Sequence, residues 1–285
     1  MKRSKNRVVA VLLVAALAVG SVACESTGSK PAPLAGTTVS DERVKLDDAW
    51  LFIPAGISHA ADEVELTLHL HGARELVEAR FVDAKQPGVL LNVTLPGLSS
   101  VYRKKFGDPQ VFPRILEEAR VELNARGINV RRFEKVTVTS FSAGFGGVRE
   151  ILKDPRSFDR IDTLIMADSI YAGYVGDRVE RNVNPAHMED FARFAAAAAE
   201  GRKRLLITHT DLIPEGYAST AETADFLIAE LGGERALSDE TFADGLRLKS
   251  RYFARGCEIL GFIGADGEAH MKHLRRIDLW LKRAR

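Results

Sequence analysis

The sequence is poor in cysteine and has none of the short motifs that hold common cofactors. Only two of its 285 residues are cysteine, Cys24 and Cys257. Neither belongs to a Cys/His set with zinc-ligand spacing. The chain also lacks a Walker phosphate-binding sequence and a GxGxxG turn after a predicted strand. These absences argue against a zinc domain, a nucleoside triphosphatase and a dinucleotide-binding enzyme, so we expect neither a metal nor an organic cofactor.

An excess of positive charge is missing as well. The chain has 40 Lys and Arg against 39 Asp and Glu, a net charge of +1. Four of the basic residues, at positions 2, 3, 5 and 7, lie at the start, and without them 36 basic residues face 39 acidic ones, a net charge of −3. A nucleic-acid-binding domain normally presents a basic face. We therefore expect no nucleic-acid partner.

Long apolar runs are absent except near the start of the chain. There a basic segment, MKRSKNR, precedes VVAVLLVAALAVGSVA, an apolar run that ends in small residues. This run has about 15 apolar residues, fewer than the roughly 20 that a membrane-spanning helix needs. A basic start, a short apolar core and a small-residue exit are typical of a secretory signal. We therefore predict a signal peptide over residues 1–23.

The end of this signal resembles a bacterial lipobox. The residues are Ser21-Val22-Ala23-Cys24, and the match departs from the usual pattern at Ser21. The resemblance implies cleavage before Cys24 and a lipid anchor on that residue. It places the protein in the cell envelope, on a membrane that the sequence does not specify. An ordinary signal peptide and an uncleaved N-terminal anchor are the alternatives.

The residues after Cys24 predict a flexible tether followed by one domain. The segment 24–41 is rich in Ser, Thr, Gly and Pro and has little to bury. From residue 42 to 285 short apolar runs alternate with amphipathic segments, which predicts βαβ units and a mostly parallel sheet. Nearly continuous apolar strands predict helices on both faces of that sheet. We expect strands at 64–70, 88–95, 135–141, 161–167, 204–210 and 257–264, and helices at 109–126, 145–152, 185–200, 219–231 and 268–283.

The segment Ser140-Phe141-Ser142-Ala143-Gly144 lies between a predicted strand and a predicted helix. A nucleophile elbow requires this context, because a sharp strand-to-helix turn lifts the serine hydroxyl above the sheet. The residues two before and two after the serine must be small, since the turn packs them closely. Ser140 and Gly144 meet this requirement, although Ser140 replaces the more usual glycine. Ser142 is therefore the candidate nucleophile.

With this motif the sequence resembles the α/β-hydrolase superfamily over most of residues 45–285. A second motif, VELTLHLHGAR, is similar to the strand and loop that precede the oxyanion hole in many members. The resemblance implies an α/β-hydrolase fold, with a mostly parallel central sheet and helices on both faces. It also implies an oxyanion hole formed by the backbone N–H of Ala143 with that of Gly72 or Ala73. His71 would then order this loop rather than act as the base.

The resemblance implies the acid and the base by their order along the chain, which is Ser, then Asp or Glu, then His. His270 lies nearest the end of the last strand and is the preferred base, with His273 as the alternative one turn later. Asp168 and Asp211 end two successive strands. Members of the superfamily more often place the acid after the later strand. Asp168 is preferred here because it follows its strand at once, and Asp211 remains the alternative.

The segment that follows the strand at 88–95 contains four side chains that are candidates for contact with the substrate. Tyr102, Arg103, Lys104 and Lys105 lie in SSVYRKKFGD, which we interpret as a charged loop. This edge faces the site in open α/β sheets, so the loop is a candidate for binding an anionic substrate. A charged run is more often simply solvated, and this interpretation stays open.

The resemblance implies a serine hydrolase that cleaves a carboxylic ester, less readily an amide, through an acyl-enzyme on Ser142. The expected partners are a small-molecule or lipid-like ester substrate and the membrane that holds the anchor. A hypothesis from another class is a catalytically inactive α/β-hydrolase-like domain that serves as an envelope binding or scaffold lipoprotein. Labelling with a fluorophosphonate separates the two, because only an activated serine reacts.

Overall fold

The computed structural model describes residues 40–57, 63–176, 179–242 and 245–285. They belong to the unit Val39–Arg285. The predicted signal peptide, Cys24 and all but the last two residues of the predicted tether lie outside the described residues. Within the described ranges, no helix has the length and apolar character needed to span a membrane.

The described residues form one mixed sheet of ten strands. In chain order these are β1 Glu42–Lys45, β2 Trp50–Ile53, β3 Glu63–Leu70, β4 Val89–Val93, β5 Arg132–Phe141, β6 Thr163–Ala167, β7 Arg204–His209, β8 Ala236–Leu237, β9 Leu248–Ala254 and β10 Cys257–Phe262. Their order across the sheet is β1-β2-β4-β3-β5-β6-β7-β10-β9-β8. The six neighbouring strands β4, β3, β5, β6, β7 and β10 are parallel to one another. They are the six strands predicted from apolar runs.

Helices cover both faces of this sheet. They are α1 Arg74–Asp83, α2 Ser99–Phe106, α3 Val111–Ala125, α4 Phe145–Lys153, α5 Pro155–Arg160, α6 Glu189–Ala199, α7 Thr220–Glu230, α8 Gly267–Arg275 and α9 Ile277–Arg283. Side chains from α1, α8 and α9 pack with one set of strand residues, and side chains from α2 to α7 pack with the alternate set. The two sets form separate buried clusters because successive strand residues point to opposite faces. The prediction of a mostly parallel sheet with helices on both faces is confirmed.

The parallel register brings the carboxyl ends of the central strands to one edge. Leu70 at the end of β3 is opposite Ser140, and Phe141 at the end of β5 is opposite Ala167. Ala167 is in turn opposite Thr208 of β7. In open α/β sheets, ligands bind at this carboxyl edge, and the segments after β3, β5, β6, β7 and β10 all begin there.

Several local predictions were wrong. The segment 99–108 is not a charged loop, because residues 99–106 form α2 and bury Tyr102 and Phe106. The closing helix predicted over 268–283 is two helices with a break at Arg276. The helix predicted over 185–200 begins as a short 3-10 turn, and its α-helical part spans Glu189–Ala199.

Candidate active site

Ser142 lies in a strained turn at the end of β5. Its φ is +46°, a left-handed conformation that costs a side-chain-bearing residue roughly 1–2 kcal/mol. A 3-10 turn over Ser142–Gly144 leads directly into α4. A Cβ on Gly144 would lie 2.3 Å from the carbonyl oxygen of Leu70, so only glycine fits there. At position 144, the small residue predicted for the elbow is thus required by close packing against the backbone of Leu70.

A chain of hydroxyl groups fixes the backbone of this turn. The Ser169 hydroxyl donates to the carbonyl oxygen of Ser142 at 2.9 Å, and it lies 2.6 Å from the Ser140 hydroxyl. Because Ser169 has a single hydroxyl proton and donates it to Ser142, Ser140 must be the donor to Ser169. Ser140 and Ser169 are both fully buried. The serine in place of the usual glycine at 140 therefore adds a hydrogen bond that holds the elbow.

Asp168 and His270 are in direct contact. The Nδ1 atom of His270 lies 2.6 Å from Oδ2 of Asp168, although the two residues are 102 positions apart in sequence. Asp168 follows β6 with a φ of +46° and is completely buried. His270 is in the first turn of α8 and stacks on Phe141, with ring centroids 4.5 Å apart. The ring nitrogen that faces Asp168 is Nδ1, which leaves Nε2 for a second partner.

Hydrogen bonds keep the Asp168 carboxylate charged despite its burial. Burial alone would raise its pKa, but the hydrogen bond with His270, the charges of the nearby histidines and the Thr220 hydroxyl bring the pKa well below its usual range. The backbone N–H of Thr210 donates to Oδ1 at 3.0 Å, and the Thr210 hydroxyl donates to Oδ2 at 2.9 Å. A buried carboxylate with these donors is a permanent negative charge beneath His270.

The two alternative residues have other partners. Asp211 forms an ion pair with Lys249 and accepts a 3.3 Å hydrogen bond from the backbone N–H of Gly264. His273 is completely buried, and its Nδ1 atom lies 2.6 Å from the Thr208 hydroxyl. The structure thus places Asp168 and His270 together, and places Asp211 and His273 in separate contacts.

The turn after β3 is held in place by two hydrogen bonds. The His69 Nε2 group lies 2.8 Å from the carbonyl oxygen of His71, and the Thr94 hydroxyl donates to the carbonyl oxygen of Gly72 at 2.8 Å. His71 has a φ of +69°, and its Nδ1 atom lies 3.0 Å from the Tyr102 hydroxyl. Gly72 and Ala73 follow in this turn, directly before α1. The interpretation of Tyr102 as a substrate contact was wrong, because its ring is buried behind His71.

Ser142 and His270 open into one cavity of about 390 Å³. This volume is within the range of small-molecule sites, which run from about 300 to 1,000 Å³. Ala143 also lines the cavity, whereas Gly72 and Ala73 are not among the lining residues. Apolar and aromatic side chains in the walls are Leu98, Phe145, Tyr171, Leu212 and Tyr217. Besides His270, three lining side chains carry nitrogen atoms, namely Arg103, Arg149 and His187.

Sequence reasoning missed Arg149 and His187. Arg149 is seven residues after Ser142, which is two turns along a helix and therefore on the same face. That spacing is a signal that the sequence did contain. His187 reaches the cavity through the irregular segment that follows Asp168, and nothing in the local sequence indicates this. Among the described residues, no group of His, Cys, Asp or Glu has the arrangement of a metal site.

The sequence matches no protein-family model and no curated protein. Its structure resembles the enterobactin esterase FES from Shigella flexneri, with a TM-score of 0.50 and 10% identity, over 88% of this chain and 63% of that one. The siderophore hydrolase EstB from Aspergillus nidulans has a TM-score of 0.47 and 14% identity, over 89% and 97%. A monoacylglycerol lipase from Paleococcus ferrophilus has a TM-score of 0.39 and 14% identity, over 77% and 95%. At such identities a likeness concerns the fold, and this chain has the α/β-hydrolase fold.

Proposed function

We propose that the protein is a serine hydrolase that cleaves a carboxylic ester with Ser142, His270 and Asp168 as its triad. One observation carries this proposal. The His270 ring is hydrogen-bonded to a buried carboxylate and lines the same cavity as Ser142, which is held in a strained strand-to-helix turn. A nucleophile, a base and a group that orients the base are the parts this chemistry requires.

Each residue has one task in the proposed reaction. His270 takes the proton of the Ser142 hydroxyl through Nε2 as the oxygen attacks the ester carbonyl. The charge of Asp168 stabilises the imidazolium and keeps the proton of Nδ1 in place. His270 then protonates the departing alcohol, and water releases the acyl group from Ser142 by the same steps in reverse.

The oxyanion that forms during attack requires two N–H donors. We assign them to the backbone of Ala143 and of Gly72 or Ala73. Ala143 is the second residue of the helical turn over Ser142–Gly144, and the first N–H groups of a helix have no partner within the helix. The register of β3 and β5 supports the second donor, because Leu70 is opposite Ser140 and the turn at Gly72 therefore starts beside the elbow. The contacts of His69 and Thr94 would keep that turn in position.

An ester is the preferred substrate for two reasons. The structural neighbour with a TM-score of 0.50 is an esterase. The cavity is also small, about 390 Å³, which suits a compact ester better than a peptide chain. An amide remains the less favoured substrate, and a catalytically inactive scaffold is the outcome if the following test fails.

The test uses Ser142→Ala and fluorophosphonate labelling. Wild-type protein is expected to take up the label and to hydrolyse 4-nitrophenyl acetate, and Ser142→Ala and His270→Ala are expected to lose both. Ser100→Ala is the matched control, because Ser100 is an exposed serine on α2. If folded wild-type protein takes up no label and cleaves no ester or amide, the scaffold hypothesis replaces the enzyme. If the label is attached to Ser140 instead, the nucleophile is misassigned.

We further propose export and anchoring through a lipid on Cys24, with the alternatives of plain secretion and an uncleaved anchor. The support is the basic start, the short apolar core and the small-residue junction before Cys24. Cys24→Ser is expected to leave an uncleaved precursor without lipid when cells are fed labelled fatty acid. Absence of the label from the wild-type protein would contradict lipidation.

A further inference from the structure

The cavity at Ser142 has cationic side chains in its wall and no acidic ones. Arg103 from α2 and Arg149 from α4 both line it, and none of its described lining residues is Asp or Glu. Asp168 is close to the site but is completely buried, with its oxygens bonded to His270, Thr210 and Thr220. A substrate in this cavity therefore meets positive charge.

Arg149 is the less usual of the two arginines because it is buried. Its exposed fraction is 7%, and arginine is almost never buried this far without a charged partner. One terminal nitrogen donates to the carbonyl oxygen of Tyr171, and the guanidinium lies 5.2 Å from the ring centre of Phe145. Its Nε atom is buried with no hydrogen-bond partner among the described residues. Burial lowers the pKa of Arg149 to about 10, so the group is still a cation at neutral pH.

The acidic residues near Arg149 are paired elsewhere. Glu150 forms an ion pair with Lys153, and Asp190 forms one with Arg193. No ion pair joins Arg149 to any described carboxylate, and Arg103 likewise has none within the described part of the chain. Among the described residues, no ion pair therefore offsets the positive charge of the two arginines in the cavity wall.

His187 adds a neutral donor to the same wall. Its Nδ1 atom accepts a 2.9 Å hydrogen bond from the backbone N–H of Gly173, so in the neutral ring the proton is on Nε2. Burial and the charges of Arg149 and Arg103 lower its pKa, which keeps the ring neutral. His187 and both arginines line the same cavity.

From the two unpaired arginines and the oriented histidine, we infer that the substrate is an ester that also carries an anionic group, a carboxylate or a phosphate, bound between Arg103, Arg149 and His187. The inference rests on the proposed ester hydrolase and adds its substrate class. Guanidinium groups match the geometry of both anions, and a charge-assisted hydrogen bond is about twice as strong as a neutral one. The other two cations of α2, Lys104 and Lys105, do not line the cavity, and Lys105 is paired with Asp48.

The test compares esters that differ only in the anionic group. On the acyl side, mono-4-nitrophenyl adipate is compared with its methyl ester. On the alcohol side, 4-acetoxyphenylacetate is compared with its methyl ester, and 4-acetoxybenzyl phosphate is compared with its dimethyl phosphate ester. We expect at least one anionic ester to exceed its neutral counterpart in kcat/KM by about tenfold or more, as a charge-assisted pair would provide. The responding ester identifies the anion and its side of the scissile bond.

Three variants test whether the arginines cause the preference. Arg103→Gln and Arg149→Lys are each expected to reduce the anionic-to-neutral ratio of kcat/KM by about tenfold, mostly through KM. Arg149→Lys keeps the charge but loses the planar donor fork. Lys104→Gln is the matched control, since it removes one charge from an exposed position on the same helix, and it should leave the ratio within about twofold. Circular dichroism checks that each variant is folded.

Two results would overturn the inference without touching the proposed function. The first is that wild-type protein cleaves the neutral esters with the same kcat/KM as the anionic ones. The other is a preference that Arg103→Gln and Arg149→Lys leave intact. If no ester at all is cleaved, calorimetric titration still tests whether the cavity binds an anion. The Ser142→Ala protein is titrated with mono-4-nitrophenyl adipate, 4-acetoxybenzyl phosphate and their neutral counterparts. Tighter binding of an anionic member retains the anion site, and equal or weaker binding of both rejects it.

Discussion

Asp168 receives more hydrogen bonds than orientation of His270 alone requires. Four donors surround its carboxylate, from Thr210 twice, Thr220 and His270. Asp168→Asn would place an NH₂ group among these donors and favour the wrong tautomer of His270. We predict that kcat for 4-nitrophenyl acetate falls by about 10³- to 10⁴-fold, the scale of loss seen when a triad acid is made neutral. Steady-state kinetics on folded protein measures this.

Asp211→Asn is the matched comparison, because Asp211 ends the neighbouring strand and pairs with Lys249 rather than with a histidine. Its side chain is partly exposed, so loss of this ion pair should cost stability little. We expect kcat to stay within about threefold of wild type. A large loss in Asp211→Asn with a mild effect of Asp168→Asn would move the acid to Asp211.

At the scale of secondary structure, the sequence was most informative where strands are buried on both faces. The six parallel strands are continuous apolar runs and could be predicted, and so could the turn at Ser142, because its small residues stand between such a run and a helix. The helix predicted over 219–231 is likewise present as α7, and a capping box of Ser219 and Glu222 begins it. These features are encoded by local residue patterns, which is why sequence alone was sufficient.

The edge strands and three helices, α1, α2 and α5, were not predicted, and β9 and α1 show the physical reason. Strand β9, LKSRYFA, buries Leu248, Ser250 and Tyr252 on one face only, so polar and charged residues interrupt its apolar pattern. Helix α1 places few apolar residues against the sheet and buries Glu78, which pairs with Arg43. The choice between Asp168 and Asp211 also needed the structure, because only the fold brings residues 102 positions apart into contact.

Close packing of α4 against β3 depends on a glycine. A Cβ at Gly144 would lie 2.3 Å from the Leu70 carbonyl oxygen and 2.8 Å from the Ser140 hydroxyl. The backbone cannot yield there without moving the elbow, so Gly144→Ala is predicted to destabilise the fold by about 2 kcal/mol or more. Urea denaturation measures the free energy of unfolding.

Gly267→Ala is the control for this prediction. Gly267 begins α8, and a Cβ there would meet nothing within 4 Å. Alanine costs less conformational entropy than glycine in a helix, so this change should be neutral or stabilising by up to about 1 kcal/mol. Equal losses in the two variants would show that the close approach at Gly144 is not what destabilises the protein.

For the whole molecule, three buried histidines make stability depend on pH. His69, His209 and His273 are almost completely buried, and burial is the main reason that each has a pKa lowered to about 4. An unfolded histidine has a pKa of about 6.5. As the pH falls from about 6.5 to 4, the unfolded chain therefore binds protons at these histidines, whereas the folded chain does not. The stability that these residues contribute is fully present above about pH 6.5 and is lost below it.

The size of this effect follows from proton linkage. Each such histidine can change the free energy of unfolding by at most about 1.4 kcal/mol per pH unit, and by on the order of 3 kcal/mol over the whole window. The depressed pKa of Asp168 acts at lower pH, because its contribution is lost only below the unfolded value of about 3.9. A steep fall in stability between about pH 6.5 and 4.5 is therefore assigned to the histidines rather than to Asp168.

His273 is the histidine best suited to test this assignment. Its Nδ1 atom faces the Thr208 hydroxyl, its ring stacks on Trp280 at 5.9 Å, and its Nε2 atom is buried without a partner among the described residues. His273→Gln cannot titrate, so we predict a reduction of about 1 kcal/mol per pH unit in the slope of unfolding free energy between pH 6.5 and 4.5, measured by urea denaturation. Thr208→Val removes the same hydrogen bond but keeps the titrating ring, and should lower stability without changing the slope. A slope that His273→Gln leaves unchanged would mean that His273 binds a proton equally well in the folded and unfolded chain, and that its burial does not set the acid limit of the fold.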